Sequence, residues 1–384
     1  MPMVYMDYHA TTPVDPEVFQ AMAPYFTEKF GNAASRQYRL GWEAQEAVER
    51  ARGEVATLIG AEAREIVWTS GATEANNLAL KGLADIAAAS RNHFVTVVTE
   101  HKSVLDTCKR LAQQRCQVTV LAVDGDGHVN LDELRAAVTN RTAAVSVMAA
   151  NNEIGLLAPL AAIAAIAHEK GALVHTDAVQ AAGKVPFDVN AVGVDLASLT
   201  AHKLYGPKGV GALYVRRKNP RVTIASLIDG GGHERGMRSG TLNVPGIVGF
   251  GAAAALANRV MDEEGARLVG LRTRLLDGLR ARIADVMVNG PLETRLPGNL
   301  NVSFPGVDGE ALLISLCEDV AVSSGAACTA AEPSHVLKAL GHKVDLALAS
   351  LRFGLGRWTT EEEVDVVCAR VAETVTRLRT MSTV

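Results

Sequence analysis

Between residues 60 and 215, short apolar runs rich in β-branched residues alternate with longer amphipathic ones, and this alternation decides what the chain can fold into. The runs at 65–69, 93–99, 117–121, 143–148, 173–177 and 195–199 are short and almost continuously apolar, as strands buried on both faces are. Between or beside them, segments 43–59, 73–84, 103–113 and 160–170 carry apolar residues at helical spacing. Parallel strands need crossovers of about this length, so the pattern predicts an α/β domain around a mostly parallel sheet.

After residue 260 the texture changes. A long charged helix is expected over 261–283, then short strands at 286–289 and 299–303. A closing helix over 360–380 follows, with Glu361, Glu362 and Glu363 in its first turn, where the helix dipole favours them. At 384 residues and 48% hydrophobic, the chain has material for two cores. We expect a large domain over 15–258 and a smaller α+β domain from 1–14 and 259–384, with the seam near 252–259.

The formal net charge is −4, so no basic footprint argues for direct nucleic-acid binding. Cys108, Cys116, Cys317, Cys328 and Cys368 are odd in number and lack C-x-x-C spacing, which disfavours a disulfide framework and a metal site. A reducing cytoplasm suits them. Cys108, Cys317 and Cys368 fall on apolar helical stripes and are expected in the core. No signal segment is apparent, nor any membrane-length run free of charge and turn residues.

The chemistry concentrates at the carboxyl ends of the predicted strands, where open parallel sheets bind ligands. Asp177 ends one strand and Lys203 follows the next, with Gly206, Gly209 and Gly211 marking a close backbone approach beyond it. A lysine that can hold an aldehyde, with a carboxylate for a pyridinium nitrogen, is the pair required by pyridoxal phosphate (PLP). Ser70-Gly71-Ala72-Thr73 opens a helix with small residues, a cup for the phosphate. His101 is placed to stack on a flat ring and relay protons, and Asn152 to hydrogen-bond cofactor or substrate. Arg352, alone in an alternating strand pattern, needs an anion, either a substrate carboxylate or a structural partner. Cys328 lies among small residues that cannot pack a core, which makes it a nucleophile candidate.

Together these segments resemble the cysteine desulfurases of the IscS/NifS type, within the class V aminotransferase-like PLP enzymes of fold type I. The resemblance rests on the motifs around Asp7, Gly31, Ser70, His101, Asn152, Lys203 and His233, and on Ser323 to Cys328, which favours group I. It implies a mostly parallel seven-stranded sheet in the large domain. Lys203 then carries the cofactor, Asp177 faces its ring nitrogen, and His101 stacks on it. Ala72, Thr73, Gln180, Thr200 and His202 hold its phosphate or ring oxygen. Thr241 reaches the phosphate in the other protomer of a homodimer, Asn152 and Arg352 hold L-cysteine, and Cys328 accepts its sulfur. A transient sulfur-acceptor protein, such as an iron–sulfur scaffold, is a further implied partner. A class V aminotransferase or a selenocysteine lyase would share the cofactor residues. Two departures stand out: Tyr38 occupies a position where the family often has histidine, and the segment between Cys328 and Pro333 is short.

Overall fold

In a computed structural model describing residues 3–87, 90–324 and 333–382, the alternating segments form one seven-stranded sheet. Its spatial order is Ile66–Thr69, Gly211–Val215, Leu196–Thr200, Leu173–Asp177, Thr142–Ser146, His93–Val97 and Gln117–Leu121. Only Gly211–Val215 runs against its neighbours. That strand begins at a glycine because a Cβ on Gly211 would lie 2.6 Å from both Gly71 Cα and Leu199 O. The close approach expected near Gly211 is thus to the protein's own backbone.

Successive side chains of the strands feed two apolar layers. Val67 and Phe94 pack under the helices Ala72–Ile86 and Lys102–Gln114. Ile66, Trp68, Val95 and Val97 face the opposite layer, with Arg39–Leu58, Leu160–Glu169 and the first half of Val244–Arg280. A separate core is built from Leu268 to Leu279, the strands Asn299–Ser303 and Ser350–Gly354, and the helix Glu361–Ser382. Met6 joins this second core, and Val4–Tyr5 pairs in parallel with Val320–Ala321.

Two sequence readings change. Residues 252–259 and the helix expected over 261–283, as far as Arg280, belong to one continuous helix of 37 residues, Val244–Arg280. The shift from Gly/Ala to charged residues marks a change of packing partner, and nothing in it breaks the helix. This helix is long and apolar enough to cross a membrane by length and composition, but 56% of its apolar window is buried inside the protein. Cys108 and Cys368 are buried, whereas Cys317 is exposed. It caps the short helix Gly309–Leu316, past the last turn that the core covers.

The chain's first turn after Tyr5 crosses from the second core to the large sheet. Thr12 N–H donates to His202 O at 3.0 Å, and Asp15 N–H to Tyr205 O at 2.9 Å. Arg357 ties the two parts again, bridging Asp15 and Glu264 while its guanidinium lies 4.1 Å from the Tyr205 ring centroid.

Candidate active site

The helix Ala72–Ile86 starts directly above the edge strand Ile66–Thr69, and no side chain caps it. Its first-turn amides, including those of Ala72 and Thr73, have no intrahelical acceptor and present positive partial charge. A Cβ on Gly71 would meet nothing within 4 Å among the described residues, so the space beside the residue that precedes these amides is open. Glu74, the acid of this turn, is committed to Arg238 at 2.8 Å and to Ser70 N–H at 2.8 Å. An anion arriving at the amides therefore meets a neutralised carboxylate.

Two strands further along, Asp177 and Lys203 rise from the carboxyl ends of adjacent strands. Asp177 is 4% exposed; one carboxylate oxygen accepts from Val179 N–H at 3.1 Å and the other from Asn76 Nδ2 at 2.8 Å. Lys203 Nζ donates to the carbonyls of His9 and Ala10, each at 2.5 Å. Burial, and then the charge of Arg352, pushes its ammonium down from 10.5 to about 8. An amine of that kind keeps a useful neutral fraction near pH 7. Beside it, burial and then Lys203 lower His202 to about 4, so its ring is neutral; its Nδ1 lies 3.1 Å from Thr11 Oγ1. Thr200 is buried with its hydroxyl on Val210 O.

His101 is the N-cap of Lys102–Gln114, its Nδ1 accepting from Ser103 N–H. The exposed ring stands on the same sheet edge as Asp177 and is joined to it through Ser103 and Asn76. Open helix amides for a phosphate, a carboxylate for a ring nitrogen and a low-pKa amine form the donor set that a phosphorylated pyridine aldehyde needs. These residues fit that group.

Other sequence candidates are placed less simply. Arg352 is 8% exposed and has a structural anion: Nη2 donates to Asp7 and Ser323, and Nη1 to Asn152 O at 2.8 Å. Its Nε is buried and finds no partner among the described residues. Asn152 therefore meets Arg352 through its backbone carbonyl. Gln180 is turned toward His9 and Lys184, accepting from Lys184 Nζ at 2.9 Å. Thr241 is exposed and hydrogen-bonds none of these residues within one chain. Cys328 lies outside the described residues. The chain on either side of 325–332 is tied to the site: Ser323 to Asp7 and Arg352, and His335 to Glu100 O at 2.9 Å.

Asn76, Ser103, His9 and Glu100 were not singled out from sequence, because each acts through a partner distant in sequence. Glu100 is fully buried, and burial followed by Asp177 drives its carboxyl well above the usual range.

Comparison with known proteins agrees with this geometry. The family model for aminotransferase class V matches residues 4–367. The cysteine desulfurase IscS of Anaeromyxobacter dehalogenans (strain 2CP-C) is 59% identical over 99% of this chain and 94% of its own. The structure of a NifS-like protein superimposes with a TM-score of 0.92 at 40% identity, covering 98% of this chain and 100% of that one. SspA in complex with cysteine gives 0.81 at 33% identity, over 93% and 100%. The chain belongs to the aminotransferase class V family.

Proposed function

We infer that this chain is a PLP-dependent cysteine desulfurase, which converts L-cysteine to L-alanine and passes the sulfur to Cys328 as a persulfide. The observation that carries the reading is the meeting of Lys203, Asp177 and the uncapped helix Ala72–Ile86 at one sheet edge, with both anchors of the Cys328 segment tied to the same site. When bound, the cofactor supplies an electron sink for the substrate's α-carbon. Lys203 is the base for the α-proton, since lowering its ammonium to about 8 gives it a usable neutral fraction at working pH. Asp177 holds the ring nitrogen's proton, and the amides of Ala72 and Thr73 the phosphate. His202, Thr200 and Gln180 are assigned to the cofactor's phosphate or ring oxygen. Arg352 Nε and the Asn152 amide are the groups assigned to the substrate carboxylate.

Sulfur transfer balances without an external oxidant. The C–S bond of cysteine breaks with its electron pair left on carbon, and an S–S bond forms to Cys328 Sγ. The carbon takes up a proton and leaves as alanine. Three residues separate Cys328 from Ser324, so four chain steps bound its Cα to within roughly 14 Å of that anchor. The sulfur then passes to an acceptor protein, for iron–sulfur cluster assembly or another thiolation pathway.

We place the catalytic unit in a homodimer. Phe19, Phe26, Phe30, Tyr38 and Trp42 are each at least half exposed near the N-terminus, an apolar surface that a second copy can cover. Thr241, exposed on its own chain, is assigned to the partner's phosphate. We assign residues 15–258 to the large domain and 1–14 with 259–384 to the small one. The described cysteines are free thiols, in keeping with a reducing cytoplasm.

Product analysis tests the reaction. Wild-type holoenzyme given L-cysteine is expected to release alanine with the cofactor unchanged, and Cys328→Ala to lose persulfide formation. A keto acid product with the amino group retained on the cofactor would indicate an aminotransferase instead.

A further inference from the structure

Asn76 is completely buried one turn into Ala72–Ile86, and its amide nitrogen has two hydrogens. Both are spent: Nδ2 lies 2.8 Å from Asp177 Oδ2 and 2.8 Å from Ser103 Oγ. The opposite amide orientation would set Asn76 Oδ1 against the Asp177 carboxylate, so the chemistry fixes which way the amide points. Ser103 Oγ consequently accepts from Asn76, and its own hydrogen is left for His101 Nδ1 at 2.8 Å. The Ser103 backbone N–H, which can only donate, points at that same Nδ1 from 3.1 Å.

Two donors on one imidazole nitrogen leave no room for a hydrogen there. The neutral ring must carry its hydrogen on Nε2. We propose that Asn76 and Ser103 are positioning residues that couple Asp177 to His101 and lock His101 as the Nε2–H tautomer. His101 then acts as a hydrogen-bond donor at Nε2 toward cofactor or substrate. It is not a base there, because the Nε2 lone pair is absent. Its one basic nitrogen is Nδ1, and a proton taken there displaces both Ser103 donors. An Nε2–H can give a proton and not take one, so the relay role expected for His101 from sequence narrows to donation from Nε2, and removal of the α-proton falls to Lys203.

The proposal rests on the assignment of Asp177 and His101 to the cofactor ring, and its test separates the two ideas. Protein labelled with ¹⁵N-histidine is studied by long-range ¹H–¹⁵N correlation, as apoenzyme and as PLP holoenzyme, with His101 assigned through His101→Gln. The expected pattern has Nδ1 as a bare acceptor and Nε2 protonated in both forms. Ser103→Ala removes the hydroxyl donor and keeps the backbone N–H, so a partial shift toward a tautomer mixture is expected, and Ser103→Thr is expected to reverse it. Asn76→Ala is expected to resemble Ser103→Ala; should it fail to fold, the Ser103 pair decides alone. Hydrogen on Nδ1 in the wild type, or a ring in Ser103→Ala indistinguishable from wild type, would overturn the proposal. If the tautomer holds but adding PLP leaves the Nε2 resonance unmoved, the lock stands and the placement of His101 on the ring fails.

Discussion

Lys203 offers the sharpest quantitative prediction. Its ammonium is lowered from 10.5 to about 8, first by burial and second by the Arg352 charge, with Asp7 and Asp177 acting in the opposite sense. At pH 7 about one Lys203 in eleven is then neutral, against about one in 3,000 for an ordinary lysine, a gain of about 300-fold in reactive amine. Capture of PLP by the apoenzyme, followed through the absorbance of bound cofactor, reads this directly. Its rate constant, divided by that of a free alkylamine to remove the cofactor's own ionisations, is expected to bend near pH 8. Arg352→Gln removes the second-largest lowering influence and takes away the ion-pair partner of Asp7, so the bend moves to higher pH. The folded value lies below the unfolded one, so the apoenzyme gains stability as pH rises from about 8 toward 10.5. A relative rate without any bend up to pH 10 would refute the argument, as would a bend unmoved in Arg352→Gln.

Three further outcomes follow from the packing. Gly211→Val forces a side chain into the Gly71 backbone and Leu199 O; we expect a loss of about 1–3 kcal/mol in urea unfolding and weaker PLP binding, and unchanged PLP affinity would contradict the cup. Arg52 and Glu234, at 3% and 2% side-chain exposure, form a two-pronged pair that also receives Trp68 N–H. Arg52→Met strands the buried carboxylate and should cost about 3–5 kcal/mol, most of it recovered in Arg52→Met/Glu234→Leu. Glu100 has its folded value raised, so its contribution is present below 4.5 and is lost as pH rises toward that folded value. Glu100→Gln should therefore be increasingly more stable than wild type as pH climbs above 4.5; equal pH profiles would show that the buried carboxyl titrates normally.

The sheet was legible because strands buried on both faces leave continuous apolar runs, and because ligand groups cluster at their carboxyl ends. Lys203, Asp177 and the Ser70 turn emerged from that rule alone. What escaped were contacts made by crossing the sheet. The helix Ala72–Ile86 leaves an edge strand, and the chain re-enters the sheet at its sixth strand, His93–Val97, which carries Asn76 over Asp177. No local pattern encodes that path. Arg352 likewise finds Asp7 across nearly the whole chain, so its need for an anion was visible and the identity of that anion was not. Cys317 was misread since an apolar stripe reports a helix face and says nothing of which end the core leaves uncovered.

The central claim is that the C–S bond prepared at Lys203 is broken by Cys328. Its most direct test is to react stoichiometric ³⁵S-L-cysteine with the PLP holoenzyme, quench with a thiol-blocking reagent, and map the label by peptide mass spectrometry. The account predicts one persulfide per alanine formed, on the peptide containing Cys328. Label on Cys317 or another cysteine, or alanine formed at the wild-type rate by Cys328→Ala, would contradict it.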